Sequence, residues 1–315
     1  MTDFSHTKTE LLKSGLPLES MIAASIKDLS LKLPRPLINH GEYLFERQES
    51  EFPNSVDFMV TYDLDVKDAD FMQIAFLIEC KYRTRGTCWY FTPSPLEDFG
   101  MEFFVENYFS KGKCGGKRFP YLAPPLNDKS IQAAGKGIEI YSNGKRNEKS
   151  INEGIHQLMF SSSSLLTRAF VKEEFMQPVM SKRGIDIHGR SCHSLICPVL
   201  VTTSDILFLM NANIEKIEQS ERPEDIGKAE RIIAYSTPKT PLYVQRYIKE
   251  VVFKDITALL PQGANVQNVL KFLDYYIPLF PSRYYVVNNQ SFEDFMKKYI
   301  DFAGAMLTFA CRNAE

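Results

Sequence analysis

Glu79 and Lys81 stand two apart in the run Ile78-Glu79-Cys80-Lys81-Tyr82. Residues two apart on a strand share one face, so an acid and a base emerge together while Cys80 points the other way. The run closes a continuous apolar stretch, Ile74-Ala75-Phe76-Leu77-Ile78. Burying either ion alone costs several kcal/mol, and a bound cation with an anionic substrate would compensate both. Asp57 interrupts a second apolar strand, Val56-Asp57-Phe58-Met59-Val60. If the two strands are neighbours, Asp57 and Glu79 converge on one point. Two carboxylates, a backbone carbonyl and waters make a hard oxygen donor set suited to magnesium. Lys81 beside them can orient a metal-bound water or help deprotonate it. Strand ends read from sequence are uncertain by a few residues, so Asp63 and Asp65 stay open as alternative ligands, with Asp57 then capping a turn.

These residues need a scaffold. The spacing of Leu18, Met21, Ile22, Ile26 and Leu29 predicts a helix from about Pro17 to Leu31 with one apolar face. Pro17 suits its first turn, and Pro34 and Pro36 end it. Glu19 lies on this helix, either beside the acidic pair or as an ordinary first-turn acid. Strands are expected at 42–47, 55–62 and 73–82, joined by short links as a meander. Residues 83–136 mix Gly, Pro, aromatics and basic residues without a clean period and read as an insertion or loop-rich rim, with one helix near 97–109. A short strand follows at 137–141, then a helix from Ile151 to Ala169 whose middle is weakened by Ser161 to Ser164. Two tightly joined strands are expected at 195–203 and 205–210. The last third reads as helices at 241–259, 266–276 and 292–312, with a strand at 284–287. The order gives a mixed α/β layout around a central sheet.

Asp57 followed by Glu79-Cys80-Lys81 resembles the PD-(D/E)XK signature of the restriction-endonuclease-like nucleases. Ser14-Gly15-Leu16-Pro17-Leu18-Glu19 resembles the helix start that places a glutamate beside the site in many members. The order helix, strand, strand with Asp, strand with Glu-x-Lys is that of the family's core. A later helix with Gln157 resembles one that carries a site glutamine in several branches, and 195–210 resembles the two remaining core strands. Residues 14–82 carry most of the likeness and 137–210 a looser one, while 83–136 and the last third have no counterpart. Val56 stands where the signature has proline, at a position that varies in the family. The resemblance implies a metal-dependent nuclease that hydrolyses phosphodiesters, with DNA as the expected substrate. Asp57, Glu79 and the backbone carbonyl of Cys80 would hold Mg2+, with Mn2+ as substitute. Lys81 would position the water, and Glu19 and Gln157 would assist.

Composition leaves this reading open. The chain has 315 residues, 44% hydrophobic and 24% charged, with a formal net charge of −2. Those values fit an ordinary globular protein and exclude collagen-like, coiled-coil and wholly disordered classes. Met1-Thr2-Asp3-Phe4-Ser5-His6 lacks the basic and apolar regions of a secretory signal, and the longest apolar runs fall short of a membrane span. Six scattered cysteines with no CxxC pair suggest a reduced, cytoplasmic protein. His188, Cys192, His193 and Cys197 match no common zinc spacing. Lys111, Lys113, Lys117 and Arg118 cluster among glycines and form either a phosphate-contacting loop or a solvated one, without a phosphate-loop pattern. The expected organisation is one restriction-endonuclease-like domain over 1–315, with an insertion at about 83–136 and a helical C-terminal elaboration at about 241–315. The expected partner is nucleic acid rather than membrane, and a homodimer is compatible. The rival readings are a non-catalytic nucleic-acid-binding module on the same fold and a structural or interaction protein whose charged trio is an internal salt bridge.

Overall fold

The computed structural model describes residues 4–45, 54–65, 70–94, 107–110, 131–147, 149–171, 191–210, 213–237, 240–257, 267, 271 and 283–312. Helix α1 (Phe4–Lys13) leads into α2 (Leu16–Lys32). Strands β1 (Ile38–Asn39), β2 (Tyr43–Phe45), β3 (Asn54–Val56), β4 (Phe58–Asp65) and β5 (Asp70–Lys81) follow. Next come β6 (Cys88–Pro93), β7 (Asn107–Ser110), β8 (Gln132–Ile140), β9 (Arg146–Asn147) and the long helix α3 (Lys149–Val171). Strands β10 (Ser191–Thr202), β11 (Asp205–Phe208), β12 (Lys228–Glu230), β13 (Ile232–Ser236) and β14 (Arg283–Asn288) complete the sheet. A final helix spans Phe292–Arg312.

Twelve strands form one mixed sheet in the order β1-β4-β5-β10-β14-β13-β8-β6-β11-β12, with β7 beside β10 and β9 beside β8. Strand β5 pairs antiparallel with β4 and parallel with β10. Both faces of β5 are covered, which explains its unbroken apolar run. Ile74, Phe76 and Ile78 pack in one cluster with Leu18, Ile22 and Ile26 of α2 and with Phe295 and Tyr299 of the last helix. Ala75 and Leu77 face the opposite cluster, with Ile155 and Leu158 of α3. The result is an α/β fold with a large mixed sheet flanked by helices.

Several expectations are corrected. The strand expected at 55–62 is two strands broken at Asp57: β3 pairs with β2 in a separate hairpin, and β4 belongs to the large sheet. Within the expected loop-rich segment, β6 is an inner strand with Trp89 and Phe91 fully buried. Its aromatic-rich sequence lacks alternation because both faces are covered. The helix expected near 97–109 fails at its end, where 107–110 is β7; residues 95–106 lie outside the described set. Met21 is 54% exposed, off the apolar face. The serines do not interrupt α3: Ser161 to Ser164 are buried, and Ser161 Oγ donates to the Leu158 carbonyl at 3.1 Å. The helix expected at 241–259 is described to Thr257 and contains a π-helical turn at Ile248–Val252. That at 266–276 lies outside the described residues except for Gln267 and Lys271, both helical.

Candidate active site at the end of strand β5

The break at Asp57 creates the site. Pairing of β4 with β5 ends at Phe58 opposite Ile78. The Cys80 N–H, two residues beyond Ile78, is taken by the Asp57 side chain instead: it donates to Oδ2 at 2.6 Å. The chain turns out of the large sheet at Asp57 and its carboxylate replaces the missing strand partner. On the other side β10 still pairs through Thr202 opposite Lys81, and the Thr202 hydroxyl donates to the Lys81 carbonyl at 3.1 Å.

Glu79 and Lys81 continue the face of β5 that carries Ala75 and Leu77, toward α3. Lys81 Nζ donates to Glu79 Oε1 at 2.6 Å and to Gln157 Oε1 at 3.1 Å. The Gln157 amide donates in turn to the Ser55 carbonyl at 3.2 Å, which fixes which end of the amide faces Lys81. Close packing of α3 on the sheet makes this reach possible. Gly154 lies against Leu200 of β10, and a Cβ there would stand 2.7 Å from Leu200 Cδ1. Gln157 follows one turn later.

Electrostatics set Glu79 apart. It is 3% exposed. Burial pushes its pKa up to about 7; Lys81 opposes the shift, and Asp57 and Glu19 add to it. Asp57 is also raised, chiefly by burial, against the Cys80 N–H bond and Lys81. Glu19 is raised by partial burial and then by Asp57 and Glu42, with Lys81 opposing. Glu42 precedes Tyr43, which pairs with Val56, and so lies across the hairpin from Asp57. Among the described residues, four acids thus act on one another around a single lysine. Glu79 Oε2 is buried with no hydrogen-bond partner among the described residues, as is Oε1 of Glu139 on β8.

Glu19 is held by a tight helix start. Gly15 adopts φ 84°, and a Cβ on it would stand 3.0 Å from Glu19 Oε1. A side chain at position 15 would be strained and would crowd the carboxylate. Asp63 is excluded as the alternative ligand. It pairs across from Gln73, whose amide donates to its Oδ1 at 3.1 Å. That is five residues from the Phe58 position, about 17 Å along the strand. The Asp65 side chain lies outside the described set.

The structure therefore brings Asp57, Glu79, Lys81 and Gln157 together, with Glu19 in electrostatic range. The Cys80 side chain packs in the apolar cluster on the opposite face, where burial drives its thiol pKa far up, and the thiol as well as the backbone N–H interacts with the Asp57 carboxylate. Lys111, Lys113, Lys117 and Arg118 lie outside the described residues, as do His188 and the side chains of Cys192 and His193. Glu42 and Ser55 were missed from sequence. Their signal is the hairpin register, which became visible only once β3 and β4 separated.

Among the described residues, no group of three or more His, Cys, Asp or Glu is arranged to hold a metal ion by itself. Among the described residues, the donors that a cation could use here are the two carboxylates of Asp57 and Glu79 and the Cys80 carbonyl. Magnesium commonly takes one or two carboxylates and completes its shell with waters and substrate phosphate, so this set fits. The unpartnered Glu79 oxygen amid excess negative charge is what a cation would satisfy. Among the described residues no helix is long and apolar enough to cross a membrane. Comparisons of the chain with family models, curated proteins and solved structures return no match.

Proposed function

We propose that the chain is a metal-dependent nuclease with a restriction-endonuclease-like core, hydrolysing phosphodiester bonds in DNA. The observation that carries this reading is Glu79: a buried carboxylate crowded by Asp57 and Glu19, with Lys81 the one cation acting on the group among the described residues. Asp57, Glu79 and the Cys80 carbonyl would hold Mg2+ or Mn2+, which would activate a water and neutralise phosphate charge. The chain's own residues do the rest. The Cys80 N–H fixes the Asp57 carboxylate. Gln157 and Glu79 hold the Lys81 ammonium toward the place where negative charge grows on the phosphate oxygens. Glu19 adds negative potential that favours the cation.

Two rivals remain defined. An internal salt bridge in a structural or interaction protein draws on the 2.6 Å Lys81–Glu79 contact. A non-catalytic nucleic-acid-binding module would keep affinity without cleavage. The deciding test is cleavage of supercoiled plasmid and single-stranded DNA by wild type and Asp57→Asn, with Mg2+, with Mn2+ and with chelator. The nuclease reading expects metal-dependent cleavage lost in the variant. Wild type inert on every substrate with both metals would overturn it.

A further inference from the structure

Two residues beyond Lys81, Arg83 enters a second buried network. Its Nε donates to Glu139 Oε2 at 2.7 Å, and a terminal nitrogen donates to the Tyr82 carbonyl at 2.6 Å. The other terminal nitrogen meets the Ser150 hydroxyl at the start of α3. The guanidinium lies over the Trp89 ring, 5.8 Å from its centre, and Trp89 Nε1 donates to the same Glu139 oxygen at 3.0 Å. Glu139 is wholly buried. The Arg83 backbone is tied as well, because the Thr203 hydroxyl accepts from its N–H at 2.7 Å and donates to its carbonyl at 2.9 Å.

These contacts meet the site through one helix. Ser150 and Gln157 are seven residues apart on α3, two turns, and so lie on the same face. Arg83 holds the first and Lys81 the second. The apolar face of α3 is packed on the sheet through Ile151, Ile155 and Leu158, and the two polar contacts, two turns apart on one face, set its final rotation and height over the site. Fixed rotation in turn places the Gln157 amide, the group that holds Lys81 from the helix side. Glu139 keeps the Arg83 fork from swinging. A buried ion pair is a weak source of stability compared with apolar packing of similar shape, so its retention here suits an orienting task.

We infer that Arg83, braced by Glu139, is a positioning residue that sets α3 so that Gln157 holds the Lys81 amine in place. The inference rests on the nuclease reading for its catalytic consequence, but its geometric part does not. The test therefore reads both. Ser150→Ala removes only the tie to α3 and leaves the buried pair intact. Arg83→Met with Glu139→Leu replaces the pair by apolar side chains, which avoids stranding a charge. Each folded variant is labelled briefly with acetic anhydride, and the modification rates of Lys81 and Lys228 are compared by mass spectrometry. Lys228 pairs with Glu230 far along the chain and serves as control. A released Lys81 amine labels several-fold faster in both variants while Lys228 is unchanged. Cleavage measured in parallel drops about ten- to a hundredfold in kcat with KM within about twofold, the signature of a misplaced group. Unchanged Lys81 labelling in a folded variant overturns the inference whatever the cleavage result. Faster labelling in a protein whose wild type never cuts DNA would leave the clamp standing and remove the nuclease.

Discussion

Glu79 and Glu139 are both carboxylates buried in the same sheet, yet their surroundings differ in kind. Glu139 receives Arg83 Nε and Trp89 Nε1 on one oxygen, and its cation is locked by contacts to Ser150 and Tyr82. Glu79 receives one lysine, which it shares with Gln157 and, electrostatically, with Asp57 and Glu19. Lys81 is also the more exposed cation, at 23% of its side chain against 19% for Arg83, and it stands on a flexible stem. Each acid keeps one buried oxygen without a hydrogen-bond partner, so the contrast lies in the cations: Glu139 has an arginine fork fixed by several contacts, whereas Glu79 shares one flexible lysine with neighbouring acids. On the proposed reading, a bound cation would supply the charge that the acids around Glu79 lack.

The sharpest break between the two comes from removing each cation. Arg83→Ala strands Glu139 where no water reaches it, and stability should fall by about 3–5 kcal/mol in urea denaturation. An effect below about 1 kcal/mol would mean that Glu139 finds another donor and the contrast is false. Glu79→Gln tests the opposite side. The folded-state pKa of Glu79 is raised to about 7 from a usual 4.5, so its contribution is intact below the unfolded value and is lost as pH rises through about 7. Without divalent cation, the neutral variant should be more stable than wild type by about 3 kcal/mol at pH 8 and equal to it near pH 4. A variant less stable than wild type at pH 8 would make Glu79 a structural acid like Glu139.

Metal should act on one acid and not the other. At about a hundredfold excess over its Kd, Mn2+ or Mg2+ should add about 2.7 kcal/mol at pH 8, seen as a rise in melting temperature. The gain should fade as pH drops below about 7, where protons compete for Glu79, and should vanish in Asp57→Asn. The same shift persisting in that variant would move the cation elsewhere. The smallest effect concerns placement. Gly154→Ala forces a Cβ to within 2.7 Å of Leu200 Cδ1, so it should cost about 1–3 kcal/mol and push Gln157 off Lys81. Wild-type stability in Gly154→Ala would show that α3 does not need its close approach.

Much of this was legible in the sequence because it is local. The apolar run 74–78 and the alternation at 79 and 81 fix the strand and which side chains share a face. The spacing of Leu18, Ile22, Ile26 and Leu29 fixes α2, and the helix signal around Gln157 survives four serines. What stayed hidden depends on partners distant in sequence. The chain break at Asp57 is set by two different sheets claiming β3 and β4, which no single period records. Strand β6 gave no alternation because Trp89, Tyr90 and Phe91 are all buried. Arg83 and Glu139 are 56 residues apart, and neither is distinguished by its neighbours in the sequence.

The most direct test of the central claim is single-turnover cleavage of labelled DNA by Lys81→Ala in Mg2+, with DNA affinity measured on the same preparation. If Lys81 acts on charge that develops only during reaction, the chemical rate falls about 10²–10³-fold while affinity and melting temperature stay near wild type. If Lys81 only pairs with Glu79, the rate per folded molecule is unchanged and the loss appears as stability instead. That second result would contradict the nuclease account at its core.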